Sequence, residues 1–197
     1  MDNMKEDRRI RRTKKLLKQG LAEVMDEKPF KDITVKDITD RADLNRGTFY
    51  LHYRDTYDLL EKLETEILSD FQSMIDENLR YSDISNSLEP ILTPIVNYIA
   101  DNADFCRLLF KNKASNVFVE KFTQLIYDNG SHILKLINPD LSPEYSEYIF
   151  NYMSYGLIGL LMQWFETNMR LPKSELVKMT DKLLISSGKS IFTPEEN

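Results

Sequence analysis

One cysteine, one tryptophan, two histidines, six glycines and seven prolines among 197 residues leave several chemistries without their parts. A single thiol, Cys106, cannot close an intrachain disulfide or build a cysteine-based metal site, and the chain fits a reducing compartment. Cys106 lies in the apolar run 105–110, where a buried inert thiol is the ordinary reading and a redox sensor the alternative. Gly20, Gly47, Gly130, Gly156, Gly159 and Gly188 are scattered, so no glycine-rich phosphate loop exists. No ligand-spaced His/Cys set or nucleophile–His–Asp set is visible either. His132 stands alone, open to reading as a satisfied helix histidine or as a metal ligand. The expectation is therefore a non-enzyme with no cofactor and no metal. The longest apolar stretch, 149–165, carries Asn151, Ser154 and Gln163 and is shorter than the roughly 20 residues a membrane span needs. The N-terminus is charged and lacks the apolar segment of a signal peptide. A cytoplasmic protein with no membrane partner is expected.

What is present is an ordinary globular balance, 42% hydrophobic and 29% charged. A net charge of −6 speaks against indiscriminate nucleic-acid binding, but the charge is unevenly spread. Residues 5–18 hold eight basic and two acidic side chains, whereas residues 64–197 hold 11 basic and 19 acidic ones. A basic end that meets a polyanion explains this pattern, and so does a solvated basic helix face.

Helical periodicity recurs along the whole chain, which points to an all-α protein of about nine helices. The first helix, 8–27, places Ile10, Leu17, Leu21 and Val24 on one stripe and ends at Lys28-Pro29. A second helix begins at Thr34, where Thr34 and Asp37 have the spacing of a capping box, and ends near residue 42 with Val35, Ile38 and Ala42 inward. A third, 46–53, follows with Asn45 as N-cap and Gly47 in its first turn, where the absent side chain permits close approach. Two short helices across so tight a turn make a helix-turn-helix. Leu44 would plug the turn, Phe49 and Tyr53 would anchor the third helix inward, and Arg46, Thr48, Tyr50, Leu51 and His52 would lie toward the outer face. A long helix over 56–81 follows, then segments 88–102, 103–111, 115–136, 143–169 and 173–189. The domain boundary is placed between residues 55 and 56, with a DNA-binding domain before it and a larger helical domain after it.

The run Thr34-Val35-Lys36-Asp37-Ile38, Ala42, Asn45-Arg46-Gly47-Thr48-Phe49-Tyr50-Leu51-His52-Tyr53 and Arg54-Asp55-Thr56-Tyr57-Asp58-Leu59-Leu60 resembles the TetR/AcrR family of bacterial transcriptional regulators. Asp43 stands where glycine is common in that family, and Thr56 where many members carry a phosphate-contacting lysine; Thr56 could cap the fourth helix and offer a hydroxyl and an amide instead. The stretch 152–161, with Gln163-Trp164-Phe165 and Met169-Arg170-Leu171-Pro172, is similar to a subgroup that includes relatives of the dihydroxyacetone kinase regulators. The resemblance implies a homodimer on double-stranded, palindromic operator DNA, with repression as the default. Arg46 would read a guanine edge or clamp a phosphate, and Thr48 would touch a base, with Asn45 and Gly47 beside them in the DNA-binding set. Tyr50 and His52 would contact phosphates or pack at the domain joint. Thr34 and Lys36 would be further phosphate contacts, and Arg8, Arg9, Arg11 and Arg12 an arm for phosphates or the minor groove, or a solvated tail.

The apolar helix over 143–169 is expected to form half of a four-helix dimer interface with the last helix. Ile149, Tyr152, Met153, Gly156, Leu157, Gly159, Leu160 and Trp164 would lie at that interface; burial wholly within one chain is the alternative. Tyr98, Phe105, Phe110, Phe122, Tyr127 and Tyr155 are candidates to line a pocket for a small-molecule effector, or are core. The rival function is a helical adaptor that recruits a protein partner and senses nothing small.

Overall fold

The computed structural model describes residues 2–81, 86–111, 116–137 and 143–190, with side chains from residue 8 on except at the ends of these segments. Nine α-helices and one 3-10 turn, with no strand, make up the described residues. His132 and Gly188 lie outside the described side chains. The chain forms two compact units: residues 1–67 with 104–114, and residues 68–103 with 115–197.

In the first unit, α1 (Asp2–Glu27) buries Leu17, Leu21, Ala22, Val24 and Met25. Its basic beginning does not join that core: Ile10 is exposed together with Arg8, Arg9, Arg11, Arg12, Lys14 and Lys15. The expected apolar stripe therefore starts at Leu17, not at Ile10. A 3-10 turn (Phe30–Asp32) buries Phe30 and leads to α2 (Val35–Arg41). The capping box is formed: the Asp37 amide donates to Thr34 Oγ1, and the Thr34 amide donates to Asp37 Oδ2 at 2.8 Å. Helix α2 stops in a Schellman arrangement. Leu44 N donates to Thr39 O at 2.9 Å, Asp43 N to Asp40 O, and Asp43 has φ 52°. An aspartate thus fills the left-handed position that usually needs glycine. Short α3 (Arg46–Tyr50) follows, ending three residues before the expected limit at Tyr53.

Helix α4 (Thr56–Tyr81) is capped by Asp55, whose Oδ1 accepts from the Asp58 amide at 2.8 Å, so Thr56 does not have the capping role expected of it. Leu59, Leu63 and Ile67 of α4 belong to this unit's core, as do Phe105, Cys106 and Leu109 of α6 (Ala103–Lys111). Lys18 of α1 sits over the Phe105 ring at 5.2 Å. These apolar faces carry the unit past the expected boundary at residue 55 and bring a later helix into it. Burial pushes the Cys106 thiol up to about 12, which keeps it protonated and inert, as the ordinary reading of that run expected.

The second unit holds the rest of α4, α5 (Glu89–Asp101), α7 (Asn116–Ile137), α8 (Pro143–Glu166) and α9 (Lys173–Ser190). Helix α5 packs on α9, α7 on α8, and α9 also on α7. Phe71, Ile99, Phe118 and Phe165 are fully buried here. Gln72 and Asn129 exchange side-chain amide hydrogen bonds at 3.0 and 2.9 Å, tying α4 to α7. Helix α8 ends three residues earlier than Met169, again in a Schellman stop: Met169 N donates to Trp164 O, Asn168 N to Phe165 O, and Asn168 has φ 51°.

Candidate functional site

The first candidate surface is built on α2 and α3. Phe49 is fully buried and its ring packs against those of Tyr50 and Tyr53, each 5.6 Å away, which fixes the rotation of α3. Helical geometry then turns Arg46, Gly47 and Tyr50 to solvent, with Tyr50 58% exposed, and Leu51, just beyond the helix, is 80% exposed. Asn45 is engaged in holding the helix start: its Oδ1 accepts from Thr48 N at 2.8 Å and from Thr48 Oγ1 at 3.0 Å. Thr48 keeps its methyl group and hydroxyl lone pairs for other partners. Gly47 serves the cap, since a Cβ there would come 3.2 Å from Asn45 Oδ1.

Thr34 and Lys36 are exposed at the start of α2. The Thr34 hydroxyl donates to Asp37 Oδ2 at 2.6 Å. Lys28 Nζ reaches the same carboxylate at 2.7 Å, and chiefly this bond, with those from Thr34, holds Asp37 well below the usual carboxylate range. Arg41 pairs with Glu23 and Glu27, so its charge is tied back to α1. His52 is half-buried, and burial, with the positive charge of Lys14 second, lowers its pKa; the imidazole is neutral at pH 7. Thr56 has a buried side chain, which leaves only its backbone amide for a phosphate.

Asp58 is a site residue that the sequence did not single out. Its buried carboxylate accepts from the Arg54 amide at 2.9 Å, from Arg54 Nη2 at 3.2 Å and from Lys62 Nζ at 3.0 Å. Lys62 also donates to the His52 carbonyl at 3.2 Å and lies 5.4 Å over the Tyr53 ring. The exit from α3 is thereby held to the start of α4 by one carboxylate and one ammonium. The Arg54 amide, then Lys62, bring the Asp58 pKa down to about 2.

The second unit contains a cavity of about 190 Å³, walled by α4, α5, α7, α8 and α9. Phe71 and Ile75 of α4 face it. Of the six aromatic residues expected to line a pocket, Phe122 does so. The other five do not. Phe105 and Phe110 are buried in the first unit, Tyr98 packs behind the wall against Phe71 at 5.5 Å, Tyr127 packs edge-on to Phe150 at 5.2 Å, and Tyr155 is exposed. Aliphatic side chains make up most of the wall instead.

Helix α8 has two faces. Met153, Leu157 and Leu160, expected at a subunit interface, line the cavity, and Trp164 is buried with its indole N–H donating to Leu171 O at 2.8 Å. Tyr152 is 73% exposed, Gly156 and Gly159 have open space where a Cβ would be, and Ile149 is half-buried. Tyr145, Tyr148 and Tyr155 complete an exposed stripe with Tyr152 at helical spacing. Among the described residues no cluster of metal-ligating side chains occurs, and no helix is long and apolar enough to cross a membrane.

Residues 19–63 match the bacterial regulatory proteins of the tetR family, and residues 86–186 match a transcriptional regulator C-terminal region. The chain belongs to the TetR family of bacterial transcriptional regulators. Within it, 58 residues are 38% identical to the uncharacterised HTH-type transcriptional regulator YxbF of Bacillus subtilis strain 168, a match that covers 29% of this chain and 15% of that protein. The fold is shared with the fatty acid degradation regulator FadR of Bacillus halodurans (TM-score 0.70, 16% identity, 88% of this chain and 94% of that one). It is also shared with FadR of Bacillus subtilis in complex with stearoyl-CoA (TM-score 0.63, 15% identity, 90% and 98%). The expected TetR-type, all-α architecture is thus borne out, and the tetR match takes in Thr34, Lys36, Arg46, Thr48 and Tyr50.

Proposed function

We propose that this TetR-family protein is a homodimeric regulator, acting in the cytoplasm, that reads a palindromic operator with α3 and leaves it when a small effector enters the second unit. The observation that carries this is the presentation of Arg46 and Tyr50 to solvent by a helix whose opposite side, Phe49, is fully buried and whose start is capped by Asn45. A helix so fixed can enter the major groove, where the Arg46 guanidinium offers two donors to a guanine edge. Tyr50, Thr34 and Lys36 hold phosphates, with the α4 amide of Thr56 and the exposed arginines of α1 adding to the electrostatic footprint. His52 contributes a neutral imidazole.

Two half-sites require two copies. The exposed stripe of Tyr145, Tyr148, Tyr152 and Tyr155, with Gly156 and Gly159 allowing close approach, supplies the face on which α8 meets its counterpart. Met179 and Leu183 of α9 are further exposed apolar groups for the same interface.

Helix α4 is one continuous helix whose first half is core to the DNA-reading unit and whose second half, through Phe71 and Ile75, walls the cavity. An effector that pushes on Phe71 moves a helix anchored to α3 through Asp58 and Lys62. The fold also serves FadR, which holds stearoyl-CoA in one solved structure. A change in the spacing of two recognition helices weakens operator binding because both half-sites cannot be engaged together.

The test is selection of genomic fragments by the purified protein, with Arg46→Ala beside it. A palindrome should emerge, and the variant should bind it about 5- to 150-fold more weakly, the range for losing one bidentate base contact. Fragments bound without sequence preference, or a variant that binds as well as the parent, would put the protein-recruiting adaptor in its place.

A further inference from the structure

Among the described residues that line the cavity of the second unit none is ionisable, and two bring polar side chains to it, Asn129 and Thr180. Both are engaged within the protein. Asn129 Nδ2 donates to Gln72 Oε1 at 2.9 Å and to Leu125 O at 2.8 Å, while its Oδ1 accepts from Gln72 Nε2 at 3.0 Å. The Thr180 hydroxyl donates to Leu176 O at 2.8 Å. An ion placed here would leave water and gain neither a counter-charge nor an unengaged donor, a transfer far too costly to sustain. A hydrocarbon would lose nothing by entering and would fill unoccupied space in the apolar wall.

Size sets the second limit. An apolar cavity of about 150 Å³ takes one benzene. In proportion, 190 Å³ holds about seven or eight carbon atoms. We infer that the effector enters this cavity as an uncharged hydrocarbon group of about that size, and that ionised carboxylates of equal size are excluded. This rests on the effector reading above and narrows it to a ligand class. Gly130 and Phe150 both line the cavity, and a Cβ at Gly130 would come 2.5 Å from the Phe150 ring, so the ring lies directly on the α7 backbone and cannot swing that way to make room for a larger guest. The guest also meets Phe71 of α4, whose ring packs edge-on to Tyr98 and Phe122 at 5.5 and 6.0 Å.

The experiment titrates the full chain at pH 7.5 with two matched pairs, toluene against benzoate and 1-heptanol against heptanoate, following the unfolding temperature. Leu92→Phe/Leu157→Phe, which fills the cavity from α5 and α8, is run beside the parent. At about ten times their dissociation constants, toluene and heptanol should raise the unfolding temperature of the parent by about 3–6 °C. Benzoate and heptanoate should leave it unchanged, and the filled variant should not respond to toluene. No shift with either neutral probe overturns the inference, as does an equal shift with the anions. A folded double variant that still responds to toluene places the binding elsewhere and also overturns it. If the variant fails to fold, the parent's response to the matched pairs still decides. Operator affinity measured without any probe separates the two proposals: intact operator binding with no response to neutral probes removes this ligand class alone, and a neutral-probe response without operator binding removes the regulator.

Discussion

Replacing Gly20 with alanine sets two known effects of opposite sign against each other. Alanine in a helix interior is favoured over glycine by about 1 kcal/mol, so α1 alone would gain from the change. The structure opposes it. The new Cβ would stand 2.7 Å from Ile38 O and 3.3 Å from both the nitrogen and the Cβ of Ala42. The first two are backbone atoms of α2 and its C-cap, which cannot rotate away. Ile38 O is also the acceptor of the Ala42 amide at 2.9 Å, the bond that closes α2 before its stop. Relief requires α1 and α2 to separate by several tenths of an ångström across the core made by Leu17, Leu21 and Ile38. Overpacking of this kind costs about 1–3 kcal/mol; a Cβ 2.7 Å from a backbone oxygen belongs to the upper part of that range, about 2–3 kcal/mol, so the net loss should be about 1–2 kcal/mol after the helical gain is subtracted. For a chain of this length that is a fall in unfolding temperature of about 2–8 °C, read by far-ultraviolet circular dichroism. Because α2 leads directly into α3, operator affinity should fall with it. An unfolding temperature at or above that of the parent would refute the close crossing.

Two further perturbations test other parts of the structure. Asp58→Asn should lower the urea midpoint at pH 6. Because the folded-state pKa is depressed to about 2, the stability due to the carboxylate is fully present above the ordinary carboxylate range and drains as pH falls from about 4 to about 2, so the gap between parent and variant should close over that window; a gap that persists at pH 2 contradicts the reading. Gly156→Ala meets nothing within 4 Å among the described residues, so a loss points to a second copy: sedimentation should show a dimer weakened by about 5- to 150-fold, and an equally tight dimer would remove Gly156 from the interface.

The local signals were the legible ones. Thr34 with Asp37, Asn45, and the Asp43 turn each act within six residues, and each forms as its spacing indicates. The bounds of α4 and α6 were equally readable. The rotation of α8 was not, because apolar residues occupy both of its faces and periodicity then fails to say which face is inward. A finer signal was present: the residues that recur at 145, 148, 152 and 155 are all tyrosines, whereas those at 150, 153, 157 and 161 have no polar atom but a thioether. The first set is exposed; of the second, Phe150 and Leu161 are buried and Met153 and Leu157 face the cavity. Treating aromatic rings as pocket candidates failed for a related reason. Rings of this size fill cores, and the space left over is bounded by shorter, branched side chains. The place of α6 in the first unit depends on contacts some ninety residues apart in the chain, of which the Lys18–Phe105 pair is one, and no local pattern encodes them.

The first unit is stitched from two stretches, 1–67 and 104–114, with residues 68–103 of the second unit threaded between them. An exchange of the first unit between such chains must therefore carry α6 along with α1 to α3. A single crossover inside α4 would join the first unit to a foreign Phe105, Cys106 and Leu109, three side chains buried in it. A working chimera of this protein needs three junctions, one within α4 and one on each side of α6. On the proposed reading of α3, operator specificity among such chains would change more easily by substitution along α3 than by exchange of whole segments.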